Sequence, residues 1–92
     1  MYKEILELEK FCEKIGIETH KEELFDGYVL KFNNGSDVIQ HGGSYGHNTG
    51  CVEFGYTGVE SRDFCATPLE KAKDFVHKYK RKLNKSLWIK RI

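Results

Sequence analysis

No run of apolar residues in the sequence approaches the ~18–20 needed to cross a bilayer as a helix, so no transmembrane helix is expected. The opening stretch MYKEILELEKFCEK carries acids throughout. It therefore does not read as a secretory signal, and the cytoplasm is the expected compartment. The chain has three cysteines, Cys12, Cys51 and Cys65; an odd number without a secretory signal argues against a disulfide framework. There is no CxxC pair, which would be a strong mark of a zinc module. The glycine-rich stretch QHGGSYGHNTGC, residues 40–51, lacks the Lys-Ser/Thr ending of a P-loop and leads into a strand pattern instead of a helix. Internal repeats and low-complexity segments are missing as well.

What is present is enough for one small core. The 92 residues are 39% hydrophobic and 32% charged, which fits a soluble globular domain spanning residues 1–92. The net charge of +1 conceals an asymmetry. The first 26 residues hold eight acids against four lysines, and residues 71–92 hold nine bases against Asp74 alone. Unless the two ends share a face and neutralise each other, each can steer a partner of opposite sign.

Hydrophobic spacing places the elements. Residues 2–15 read as a helix, with Ile5, Leu8, Cys12 and Ile15 on one stripe, Leu6 and Phe11 widening it, and Gly16 as the stop. Residues 17–27 fit a short edge strand and a turn at Asp26-Gly27. Residues 28–41 read as a hairpin about Asn34-Gly35, the pair favoured in a two-residue type I′ turn. That register sets Phe32 opposite Asp37, Leu30 opposite Ile39 and Tyr28 opposite His41. It assigns Tyr28, Leu30, Phe32, Ile39 and His41 to the core face, and Val29, Lys31, Val38 and Gln40 to the other. Residues 51–58 form a third strand with Val52, Phe54 and Tyr56 inward. A second helix starts with Thr67 as N-cap, Pro68 at the first helical position and Glu70 in a capping box. Its stripe is Leu69, Ala72, Val76, Tyr79 and Leu83, supported by Phe75, and Asn84 ends it. Residues 86–92, which include Trp88, form a strand or a packed tail. The expected fold is α+β in the order α-β-β-β-α, a small antiparallel sheet with two helices packed on one face.

Three chemistries are compatible with the side chains. His41, His47, Cys51 and Cys65 supply four N or S ligands at one end of the proposed sheet, a set suited to zinc, with Cys12 and His20 as lower-ranked substitutes. Their spacing matches no standard zinc module, and the bland reading is core-edge and loop residues. A cysteine-histidine pair with Glu53 or Asp63 as orienter would suit nucleophilic catalysis. Such pairs arise by chance in a chain this short, and the protein is expected not to be an enzyme. The lysine-rich second helix suits nucleic-acid phosphates, although its aromatics fall on its apolar stripe. Protein binding is the remaining class. Glu4, Glu7, Glu18, Glu22, Glu23 and Asp26 would steer a basic partner, and Tyr45 is either a loop anchor or an interface residue.

One resemblance bears on the choice. The stretch from Gly27 onward, GYVLKFNNGSDVIQHGGSYGHNTGCVEFGYTG, resembles small bacteriophage and mobile-element proteins of Gram-positive bacteria. The pattern is carried by Phe32, Asn34, Gly35, His41, Ser44, Tyr45, Gly46, Gly50 and Glu53, about a third of the chain. In such proteins hydrophobic residues can stand at the Cys51 position, which puts a shared zinc site in doubt. The resemblance implies a phage accessory protein, with host defence inhibitors of the anti-CRISPR kind as the expected class and a host defence effector as the partner.

Overall fold

In the computed structural model, which describes residues 2–43, 49–55 and 66–85, the apolar stripe of the first helix forms as its spacing predicts. Helix α1 (Lys3–Ile15) buries Ile5, Leu8 and Cys12 completely, and packs Leu6, Phe11 and Ile15 against the same core. It closes at Gly16 with a Schellman pair of bonds: Gly16 N–H donates to Glu13 O at 3.2 Å and Ile17 N–H to Cys12 O at 2.7 Å. Ile17 then drops into the core, which fixes the chain's direction into the sheet.

Among the described residues, five antiparallel strands follow in a simple meander, β1 (Thr19–Leu24), β2 (Gly27–Phe32), β3 (Asp37–Gln40), β4 (Cys51–Phe54) and β5 (Thr67–Pro68), each paired with the next in the chain. The edge strand β1 is THKEEL, with its four middle residues exposed. Its turn is Phe25-Asp26, one residue earlier than the sequence suggests, because Gly27 already pairs with Leu24. Helix α2 (Leu69–Lys78) also starts one residue later than its capping signature. Thr67 is held in the sheet opposite Val52, which leaves Pro68, in an extended conformation, as the N-cap. After Tyr79 the chain continues as α3 (Lys80–Asn84). The Tyr79 N–H still bonds to Phe75 O and the Leu83 N–H to Tyr79 O, both at 3.0 Å, so the stripe carries through. Ala72, Val76 and Leu83 are buried, and Leu69, Phe75 and Tyr79 pack beside them.

The hairpin corrects the expected register. Lys31 pairs with Asp37, Leu30 with Val38, Val29 with Ile39 and Tyr28 with Gln40. Phe32 N–H donates to Ser36 O, so Asn33, Asn34 and Gly35 all lie in the loop, and Gly35 takes φ 94°. This is the three-residue hairpin with its last residue left-handed, a conformation that glycine adopts at little cost. Asn34 Oδ1 holds the loop by accepting from Ser36 N–H at 3.0 Å and from the Ser36 hydroxyl. One extra loop residue flips every side chain of β3. Val38 and Gln40, expected outside, turn inward, and Ile39, expected inside, turns outward, while His41, just past the strand, is buried. Leu30, Phe32, Val38, Val52 and Phe54 then form the inner face beneath α1 and α2, in a single core. Val29, on the outer side, is buried too. Tyr56 and residues 86–92 lie outside the described residues.

Two polar ties fix the helices to the sheet. At one end, α1 has no side-chain cap of its own. The Ile5 N–H, an orphan of the first turn, donates instead to Gln40 Oε1 at 3.0 Å, and Gln40 Nε2 donates to Glu4 Oε1 at 3.0 Å. Gln40 is fully buried, so both ends of its amide are satisfied from α1. At the other end, Asn84 Nδ2 donates to Gly16 O at 2.9 Å and Asn84 Oδ1 accepts from Glu18 N–H at 3.0 Å. Beside it, Asn34 N–H donates to Leu83 O at 3.3 Å, and Asn33 Nδ2 reaches Glu18 Oε1 at 2.9 Å.

Removing the first tie leaves a buried N–H without a partner. Gln40→Leu is expected to destabilise by ~1–3 kcal/mol, a fall in melting temperature of several degrees for a domain of this size. Thermal unfolding of the variant and wild type checks this, and an unchanged melting temperature would remove Gln40 as the cap.

Candidate protein-binding corner

The β1–β2 turn, the N-terminus of α1 and the start of the β3–β4 connection meet at one corner. Gly27 permits the approach: a Cβ there would overlap the Gln40 carbonyl oxygen and crowd the His41 Cα. Asp26 is the hub. Its Oδ1 accepts from Gly42 N–H at 2.7 Å and its Oδ2 from the Tyr2 hydroxyl at 2.9 Å. The Gly42 N–H, the Tyr2 hydroxyl and the nearby His41 ring hold the Asp26 carboxyl below its ordinary range. The reciprocal effect raises the Tyr2 phenol, through the hydrogen bond to Asp26 first and the carboxylate's charge as well.

Phe25 stands at the tip of this corner. It is 85% exposed and the one large hydrophobic residue so exposed among the described residues. Its φ is 57°, the one positive value at a non-glycine residue among those described. A left-handed conformation costs a non-glycine residue roughly 1–2 kcal/mol, and no core contact repays it. The ring meets the His41 ring edge-on, with centroids 5.1 Å apart and planes at 66°. His41 is itself held, because Nδ1 accepts from Gly43 N–H at 2.9 Å. That bond leaves the neutral ring protonated on Nε2.

The expected acidic residues are spread more widely than one patch. Glu22, Glu23 and Asp26 lie in or next to the tip on different faces, with Glu22 paired to Lys31 at 3.2 Å and Glu23 exposed. Glu4 is half-buried and occupied with Gln40. Glu7 is exposed on α1 among Lys3, Lys10, Glu13 and Lys14, a face of mixed sign. Glu18 lies at the opposite end with Asn33 and Asn84. Tyr45 lies outside the described residues.

The four candidate zinc ligands are not brought together by what is described. His47 and Cys65 lie outside the described residues. His41 commits Nδ1 to Gly43, and Cys51 is buried with its Sγ 3.6 Å from Thr49 Oγ1. The substitutes are apart: Cys12 is in the core under α1, where burial and then Glu9 and Glu13 push its thiol up to about 12, and His20 is exposed on β1. Among the described residues, no group of three or more His, Cys, Asp or Glu side chains is placed to hold a metal ion. The basic helix keeps Lys71, Lys78, Arg81, Lys82 and Lys85 exposed, while Lys73 lies over the Phe11 ring.

Sequence reasoning missed Phe25. The signal available was an aromatic following four polar residues and Leu24, directly before Asp-Gly, where an exposed turn has no use for it. The fold and this corner define a small α+β domain with a presented aromatic, and in the described residues no helix is long and apolar enough to cross a membrane. The chain matches no protein-family model, and no curated protein or solved structure matches it.

Two measurements follow from the titrating groups. The lowered Asp26 pKa means its bonds contribute stability above the ordinary carboxylate pKa of ~3.9, and that contribution is lost as pH falls through the lower folded value. The raised Tyr2 pKa means the phenol's share is present below ~10 and lost as pH rises through its folded value. The stability gap between wild type and Tyr2→Phe should therefore stay level through neutral pH and shrink in acid. A gap that widened in acid would contradict the Tyr2–Asp26 bond. A maleimide reagent at neutral pH should leave Cys12 unlabelled until denaturant is added, which mass spectrometry of the peptides will show.

Proposed function

We propose that the protein acts by binding another protein and is not an enzyme, and that its partner is a host defence nuclease which it inhibits. One observation carries the binding reading: β1 is an accessible sheet edge whose four middle residues are exposed, ending in acids and an exposed aromatic. Glu23 and Asp26, beside the Glu22–Lys31 pair, favour a partner of basic character, and nucleases that handle nucleic acid present such grooves. The likeness of the segment containing Phe32, Asn34, Gly35 and His41 to phage accessory proteins supports the narrower reading of an anti-CRISPR-type inhibitor working in the host cytoplasm.

The test uses the tagged full chain in a host that carries a guide-loaded Cas effector. It should co-purify with the effector and reduce target-DNA cleavage by the purified complex. If the acidic edge competes with DNA for the groove, target DNA bound beforehand should protect the effector. Equal inhibition of the DNA-loaded effector would rule out competition, and no effector in the pull-down together with undiminished cleavage would end the reading.

A further inference from the structure

We propose that Phe25 is the anchor of the protein interface, inserting into an apolar pocket on the partner whose rim carries lysine or arginine. The proposal rests on the protein-binding reading above and names the contact that would carry it. Three independent features converge on this residue. The side chain is a large aromatic left 85% exposed. Its backbone holds a left-handed conformation, φ 57°, at a two-residue turn position where glycine would be cheapest. The turn is also braced from beneath: Asp26 is tied to Gly42 and Tyr2, and the ring rests edge-on against His41, which Gly43 holds in turn. An exposed aromatic on a braced turn loses little freedom on binding, which is what an interface anchor requires.

Charge selects the occupant. Glu23 is exposed on β1 just before the tip and Asp26 follows it, while Glu22, on the opposite face of the strand, is paired with Lys31 at 3.2 Å. Lys21, the nearest base on the strand, is drawn back to Glu9 at 3.3 Å. An aromatic flanked by carboxylates suits a pocket with a basic rim. It is unfavourable against a second copy's identical acidic tip, and against an anionic lipid surface.

The experiment compares inhibition of the effector's DNA cleavage by wild type, Phe25→Gly, Phe25→Trp and Glu23→Lys. Phe25→Gly relieves the turn, so its melting temperature should equal or exceed that of wild type. Its half-inhibitory concentration should nonetheless rise at least about thirtyfold, as truncation of an interface hot spot does. Phe25→Trp should stay close to wild type. Glu23→Lys should weaken inhibition and flatten its salt dependence. Full inhibition by Phe25→Gly would overturn the anchor while leaving the inhibitor reading intact. A wild-type chain that neither binds nor inhibits any effector would end both. A wild-type dimer that Phe25→Gly dissociates would make a second copy the occupant and overturn the basic pocket.

Discussion

The amide of Gln40 is the contact on which the rest of the arrangement turns. Helix α1 begins without a capping side chain, and the orphan N–H of Ile5 is buried against the sheet. The side chain that reaches it points inward from the end of β3, and the three-residue loop at Asn33, Asn34 and Gly35 is what turns Gln40 inward in place of the two-residue turn. The same choice sends Val38 into the core opposite Phe54. A buried polar group thus favours the register, because the alternative pairing turns the Gln40 amide away and leaves the Ile5 N–H of the helix terminus without it.

From that register the two faces of the molecule acquire different tasks. The inner face is apolar and occupied by the helices. The β1 edge has no described neighbour beyond β2, and its run of His20, Lys21, Glu22 and Glu23 discourages pairing with another sheet edge. It still leaves side chains accessible for selective contacts. The hydrogen bonds of Asp26 gather α1, the β1–β2 turn and the loop after β3 at one place, so the tip carrying Phe25 is attached to two other parts of the fold.

The helices were legible because their stripes are long: Ile5, Leu8 and Cys12 recur on one, and Ala72, Val76 and Leu83 on the other, as burial requires. β4 was legible from Val52 and Phe54. β1 was only half so, because an edge strand with four exposed polar residues has no alternation to display. The hairpin failed at a single residue. Asn34-Gly35 favours a tight two-residue turn locally, but Asn33 and Asn34 are both engaged with distant groups, Glu18 and Leu83, that no local rule contains. The capping box at Thr67 failed for a similar reason, since pairing with Val52 claims its backbone. Of the candidate site, the acids near the tip were visible and Phe25 was not, because periodicity identifies residues that bury and has nothing to say about one that does not.

Asn84 has a kinetic consequence. Its bonds to Gly16 and Glu18 join residues 68 and 66 positions apart, and Leu83 meets the hairpin loop beside them. Closing so long a loop costs entropy before any contact returns it. The strands β1 to β4 pair neighbours in the chain and so close short loops, whereas the ties of Asn84 span most of the chain. The contact order of the domain is therefore set less by its sheet than by the return of its second helical segment to the exit of the first.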